Sequence, residues 1–169
     1  EACSRLDAAL DLWRGTPYAE LGDADAAVAE RVRLEELRTV ALEDRTTAQL
    51  ALGHHATVVA ELEALTKAYP LRERLWALRV LALTRSGRQA DALDVLRQLR
   101  EVLDEELGLE PSAELRDLQT AVLRQDQALD WVPPEPGAPT PKPRAVVEAP
   151  AGVRPLPEPV APWPVSGRD

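Results

Sequence analysis

The chain has 169 residues, 45% of them hydrophobic and 29% charged, with a formal net charge of −9. That length holds one ordinary domain with a core and a remainder, and a surface of that sign repels a phosphate backbone, which argues against direct nucleic-acid binding by this segment. A single cysteine, Cys3, excludes an intramolecular disulfide or a cysteine-based zinc site, and no apolar run approaches the roughly 20 residues that cross a bilayer.

The remainder shows in the prolines: 12 of the 15 lie beyond Trp131. Such density removes backbone donors and fixes extended dihedrals, so residues 131–169 are expected to be a disordered or polyproline-like linker after a helical domain over residues 1–130. Charge divides at the same place. Residues 131–169 hold four acids and four bases, so the whole net charge belongs to residues 1–130. No secretory leader is present, which reads as a cytoplasmic protein. The chain starts at Glu1 and has no methionine, as expected of a piece of a longer protein.

In chain order, Leu6, Leu10 and Trp13 recur at helical spacing, predicting a helix over Ser4–Trp13 with Ser4 as its cap. Gly15, Pro17 and Gly22 break the pattern into a loop. Asp23 or Asp25 then caps a long helix to about Leu52, whose apolar stripe reads Val28, Leu34, Leu37, Ala41, Ala48 and Leu52, with Glu35, Glu36, Arg38, Glu43 and Asp44 opposite. Gly53 ends it. A helix from His55 to Tyr69 is stopped by Pro70. The next pair spans about Leu71–Ser86 and Gln89–Leu107 with Gly87 at its turn; Gly108 and Pro111 stop it, and Ser112 caps a last helix to about Gln125.

The text around Gly53 recurs around Gly87, 34 residues on: Ala56 matches Ala90, Val59 Leu93, Leu62 Leu96 and Leu65 Leu99. That period is the tetratricopeptide helix-turn-helix, in which each pair buries its apolar face by stacking on a neighbour. The expected fold is all-α, a right-handed stack of about six helices with no strand, and such a fold offers a binding surface rather than a catalytic pocket. The repeat is imperfect, since Asp104 stands where Pro70 would recur and Val58 where Ala92 does.

Candidate chemistry is sparse. His54 and His55 are adjacent, so their rings point in different directions, and metal ligands on one helix face need spacing of three or four. Runs such as Asp104-Glu105-Glu106 read as solvated faces, because a general acid needs a desolvated carboxylate in a cleft. The glycines form no phosphate loop. Catalytic, cofactor and metal residues are therefore expected to be none. Trp13 and Trp76 read as core. Arg72, Arg74, Arg79, Arg85 and Arg88 cluster around one helix, either as a salt-bridged face or as a basic patch for an acidic partner.

The phrases Ala9-Leu10-Asp11-Leu12-Trp13-Arg14-Gly15-Thr16-Pro17-Tyr18, Arg33-Leu34-Glu35-Glu36-Leu37-Arg38, Tyr69-Pro70-Leu71-Arg72-Glu73-Arg74-Leu75-Trp76, Arg85-Ser86-Gly87-Arg88-Gln89-Ala90 and Glu106-Leu107-Gly108-Leu109-Glu110-Pro111-Ser112 resemble the bacterial transcriptional activator domain. The resemblance covers about residues 5–126 and is to the SARP and AfsR-type regulators, which commonly control secondary-metabolite genes. It implies a regulatory, protein-interaction module with a winged-helix DNA-binding domain upstream. It implies as partners that domain, a second copy in a homodimer, or the transcription machinery. The docking face expected here is a groove lined by Leu34, Arg38, Arg72, Arg74, Trp76 and Arg79, with Gly53, Pro70, Gly87 and Gly108 setting the turns. An apolar residue is expected at position 79 and an aromatic at position 84, where this chain has Arg79 and Thr84.

Overall fold

The computed structural model describes residues 1–22 and 24–133. Among these there are six α-helices, two 3-10 turns and no strand: α1 (Ala2–Leu10), α2 (Asp25–Ala51), α3 (His55–Ala68), α4 (Glu73–Arg85), α5 (Gln89–Leu107) and α6 (Ala113–Arg124). Short connections join α2 to α3, α3 to α4 and α4 to α5, and each of these pairs packs side by side, as antiparallel neighbours must. The expected linker, from residue 134 onward, and the candidate cap Asp23 lie outside the described residues.

The corners repeat one hydrogen-bond solution. At the end of α2 the His54 amide donates to the Gln49 carbonyl, at the end of α4 Arg88 donates to Leu83, and at the end of α6 Asp126 donates to Ala121. Each bond reaches five residues back and satisfies a carbonyl that the helix itself leaves open. It requires a left-handed residue just before it, supplied by Gly53 (φ 87°), Gly87 (φ 75°) and Gln125 (φ 52°). Gly108, also left-handed, closes α5.

Helix α4 is the centre of the core. Its Leu75, Leu78 and Ala82 pack with Leu50, Val58 and Leu62, while its Trp76, Val80 and Leu83 pack with Ala92, Val95, Leu96, Leu99, Leu103, Leu115 and Val122. Burying both sides of one helix is how a helical repeat makes a core that no single pair could make. Trp76 is core, as its spacing predicts, and its indole Nε1 donates to the Pro70 carbonyl at 2.9 Å.

Several local expectations are corrected. Helix α1 begins before Ser4, which lies inside it, and ends at Leu10 rather than Trp13. The buried stripe of α2 is Thr39, Glu43, Thr46 and Leu50, whereas Leu37 is 47% exposed and Leu52 52%. Polar residues occupy the inner side because each is satisfied there: Thr39 and Thr46 donate to the carbonyls four residues back, and Glu43 meets two arginines.

Trp131, which the proline count assigns to the tail, belongs with the helices. Its Nε1 donates to the Ala51 carbonyl at 3.0 Å, and its ring meets His55 edge-on at 5.5 Å between centroids. Arg85 Nε donates to the Leu129 carbonyl and holds the same segment down. A Cβ on Gly53 would lie 2.8 Å from the Trp131 ring, so glycine there serves both the turn and the close approach. Trp131→Ala and Gly53→Ala are each expected to lower the unfolding free energy by about 1–2 kcal/mol. Because both unseat the indole, the double variant should lose less than the sum, as measured by urea denaturation.

His55 adds a pH dependence at the same corner. Burial, and then the charges of Arg85 and His54, hold its pKa below the ordinary histidine value, and neither ring nitrogen has a partner among the described residues. The unfolded chain thus binds this proton more tightly, so the stabilisation is complete above about pH 6.5 and is lost as pH falls through the folded value. The urea midpoint should drop between pH 7.5 and the acid side of that window, and His55→Phe should flatten this component. Glu36 and Glu63, held low by Arg72 and by Lys67, contribute only in the carboxylate range.

Candidate docking face

The six residues expected to line one groove stand in four separate places. Arg72 opens α4 as its N-cap residue and points at α2. Its Nη1 and Nη2 fork onto the two oxygens of Glu36 at 2.6 and 2.7 Å, and its Nε donates to Glu43 at 2.8 Å. Arg74 pairs with the other Glu43 oxygen and with Asp44, both at 3.3 Å. The guanidinium of Arg72 is therefore held charged well above its ordinary range, first by Glu36 and then by Glu43. These two arginines are a clamp between α2 and α4, not a free basic patch, because their charges are consumed by three acids of α2.

Leu34 and Arg38 are on the other side of α2. Each is two residues from Glu36, about 200° around the helix. Arg38 instead shares a face with Arg31 and Arg45, seven residues to either side. Arg31 donates to the carbonyls of Pro17 (3.2 Å) and Gly22 (2.9 Å), and Arg45 bridges Asp7 of α1 and Glu61 of α3. Leu34 is half-buried on this side, and Arg38 makes only a loose 3.8 Å contact with Glu35.

Trp76 lies in the core and cannot meet a partner. Arg79 lies in a groove between α3 and α5, far from the Arg72 clamp in contacts if not in sequence: it donates to Thr66 Oγ1 at 3.2 Å and approaches Glu63 at 3.8 Å. Pro70 contributes its carbonyl to Trp76 and remains exposed.

Sequence reasoning put Val28 in the stripe of α2 but missed Val32 and the exposed surface that the two form. This helix has 27 residues against 14 in α3 and 13 in α4, so it overshoots the pair it packs on. Val28 and Val32, in line with the buried Thr39, Glu43 and Leu50, are left 39% and 67% exposed. The signal was available as a seven-residue rhythm through Val32, Thr39 and Thr46, but threonines masked it.

Among the described residues no three or more His, Cys, Asp or Glu side chains are grouped to hold a metal ion, and no helix is long and apolar enough to cross a membrane. The geometry is that of a helical-repeat domain with open helix faces. The family model of the bacterial transcriptional activator domain matches residues 1–123. Among curated proteins the chain is 46% identical over 134 residues to the regulatory protein DnrI of Streptomyces peucetius, covering 79% of this chain and 49% of that one. It is 49% identical over 124 residues to the regulatory protein AfsR of Streptomyces coelicolor, covering 73% of this chain and 12% of that one. The solved structure of Mycobacterium tuberculosis EmbR in complex with a low affinity phosphopeptide superposes with a TM-score of 0.71 at 37% identity, over 73% of this chain and 32% of that chain. The chain belongs to the bacterial transcriptional activator domain family, and it spans half or less of the length of these relatives.

The clamp gives a test. Arg72→Ala strands the buried Glu43 with Arg74 alone and should cost about 2–3 kcal/mol of unfolding free energy. Arg38→Ala, at a loose exposed pair, should change it by less than about 0.5 kcal/mol in the same urea titration.

Proposed function

We propose that this chain is the regulatory, protein-docking module of a larger cytoplasmic transcription regulator, with no chemistry of its own. The observation that carries the reading is the uncovered stripe on α2, an apolar face on a helix whose continuation is core. A neighbouring domain of the parent protein, or a second copy, covers Val28 and Val32 in this reading. The names of DnrI, AfsR and EmbR, all regulatory proteins, support a regulatory parent, and the resemblance implies that a winged-helix DNA-binding domain is the neighbour. Residues 1–133 form the docking body in this scheme, and the proline-rich residues beyond serve as a tether.

The net charge of −9 leaves DNA contact to the rest of the parent. The 169-residue chain alone should fail to retard duplex DNA at physiological salt, whereas the parent protein should retard its promoter. In the 169-residue chain alone, Val32→Asp should leave the unfolding free energy within about 0.5 kcal/mol, as for other surface changes, whereas in the parent it should loosen domain packing or self-association seen by sedimentation. Salt-dependent retardation by the chain alone at micromolar concentration would overturn the reading, as would a Val32→Asp parent that packs and binds like the wild type.

A further inference from the structure

Position 79 is a core position occupied by a cation. On α4 it lies midway between Leu75 and Leu83, four residues from each, and Leu75, Leu83 and the flanking Trp76, Leu78, Val80 and Ala82 are all buried. A leucine there would complete the stripe. The Arg79 side chain is only 13% exposed, at the floor of a groove of about 390 Å³ between α3 and α5.

Its charge is poorly answered. Of five N–H donors, one makes a hydrogen bond, to the neutral hydroxyl of Thr66. The Thr66 hydroxyl gives its own proton to Leu62 and Glu63 carbonyls. The Glu63 carboxylate stays 3.8 Å away and is held by Lys67 at 2.7 Å. Arg79 Nε is buried without a partner, and burial, ahead of any charge effect, pushes its pKa down. The other acids that line the groove are already paired, Asp91 with Arg88 at 2.6 Å and Asp94 with Arg97. A desolvated guanidinium with one neutral hydrogen-bond partner and one carboxylate no closer than 3.8 Å keeps donors free for a further anion.

The groove walls narrow the choice of anion. Ala56, Val59 and Ala60 on α3 present aliphatic surface above the buried Leu83 and Val95, and the two alanines are small enough to leave the groove open. We infer that this groove docks a protein segment that places one carboxylate side chain, flanked by aliphatic residues, onto Arg79. The guanidinium fork supplies the charge-assisted pair, and the walls take the neighbours. This deepens the docking reading above and rests on it, but it concerns a different face from Val28 and Val32.

The test uses the full chain and the blocked peptide Leu-Val-Glu-Leu-Val, followed by ¹⁵N NMR, with the Leu-Val-Gln-Leu-Val peptide and sodium acetate as comparisons. The glutamate peptide should give saturable shifts at Ala56, Ala60, Val95 and the Arg79 side-chain Nε–H. The glutamine peptide should bind at least about tenfold more weakly, the worth of one charge-assisted bond. Arg79→Met should lose the same factor while keeping its helical circular dichroism. Ala60→Trp, which fills the groove while keeping the arginine, should also abolish the shifts. Equal binding of the two peptides, undiminished binding by either variant, shifts that map elsewhere, acetate binding as tightly as the peptide, or no saturable shift at all would each overturn the inference. Because no DNA or parent protein is involved, its failure is separable from failure of the regulatory reading.

Discussion

The whole structure depends on α4 burying both of its sides. One side meets α2 and α3, the other α5 and α6, and six of its thirteen residues are buried as a result. Neither α3 nor α5 has a second packing partner of comparable extent, so each is held mainly against α4. Arg79 is the exception on that helix, and its cost is borne by neighbours that are almost all fully buried.

Charge makes the second set of joints. Glu43 is buried in the middle of α2 and is matched by Arg72 and Arg74 from the start of α4, and Arg45 of α2 joins α1 to α3. A buried carboxylate is tolerable only where its partners are fixed, so these pairs set the rotation of α2 about its axis more than they add stability. Had the helix turned to bury Leu37 and Leu52, Glu43 would face solvent and Arg72 would have nothing to fork onto. Arg72 and Arg74, which look like part of a docking patch in the sequence, are paired with acids of α2.

The helices and their corners were legible because glycine, proline and leucine periodicity are local properties: α5 runs from Gln89 to Leu107 as its spacing indicates. The family was legible from five ordered phrases. The inner face of α2 was not, because Thr39, Thr46 and Glu43 count as outward residues until their partners are known, and those partners are a carbonyl four residues back or an arginine 29 residues on. The docking residues scattered for the same reason. Arg72 and Arg74 stand at the start of α4 and Arg79 more than a turn further along it, and what each one faces is set by helices that sequence spacing alone does not position. Trp131 was hidden by its setting, one aromatic at the head of a proline-rich run.

That tryptophan has a consequence for biosynthesis. Most contacts in the stack join helices adjacent along the chain, yet the bond from Trp131 to Ala51 spans 80 residues. On the ribosome, α2 to α5 can assemble in order of emergence, while the corner at Gly53 stays uncapped until the segment after α6 clears the exit tunnel. The family match stops at residue 123, short of this closure, so a truncation drawn at that limit removes the residues that shield the first corner from water.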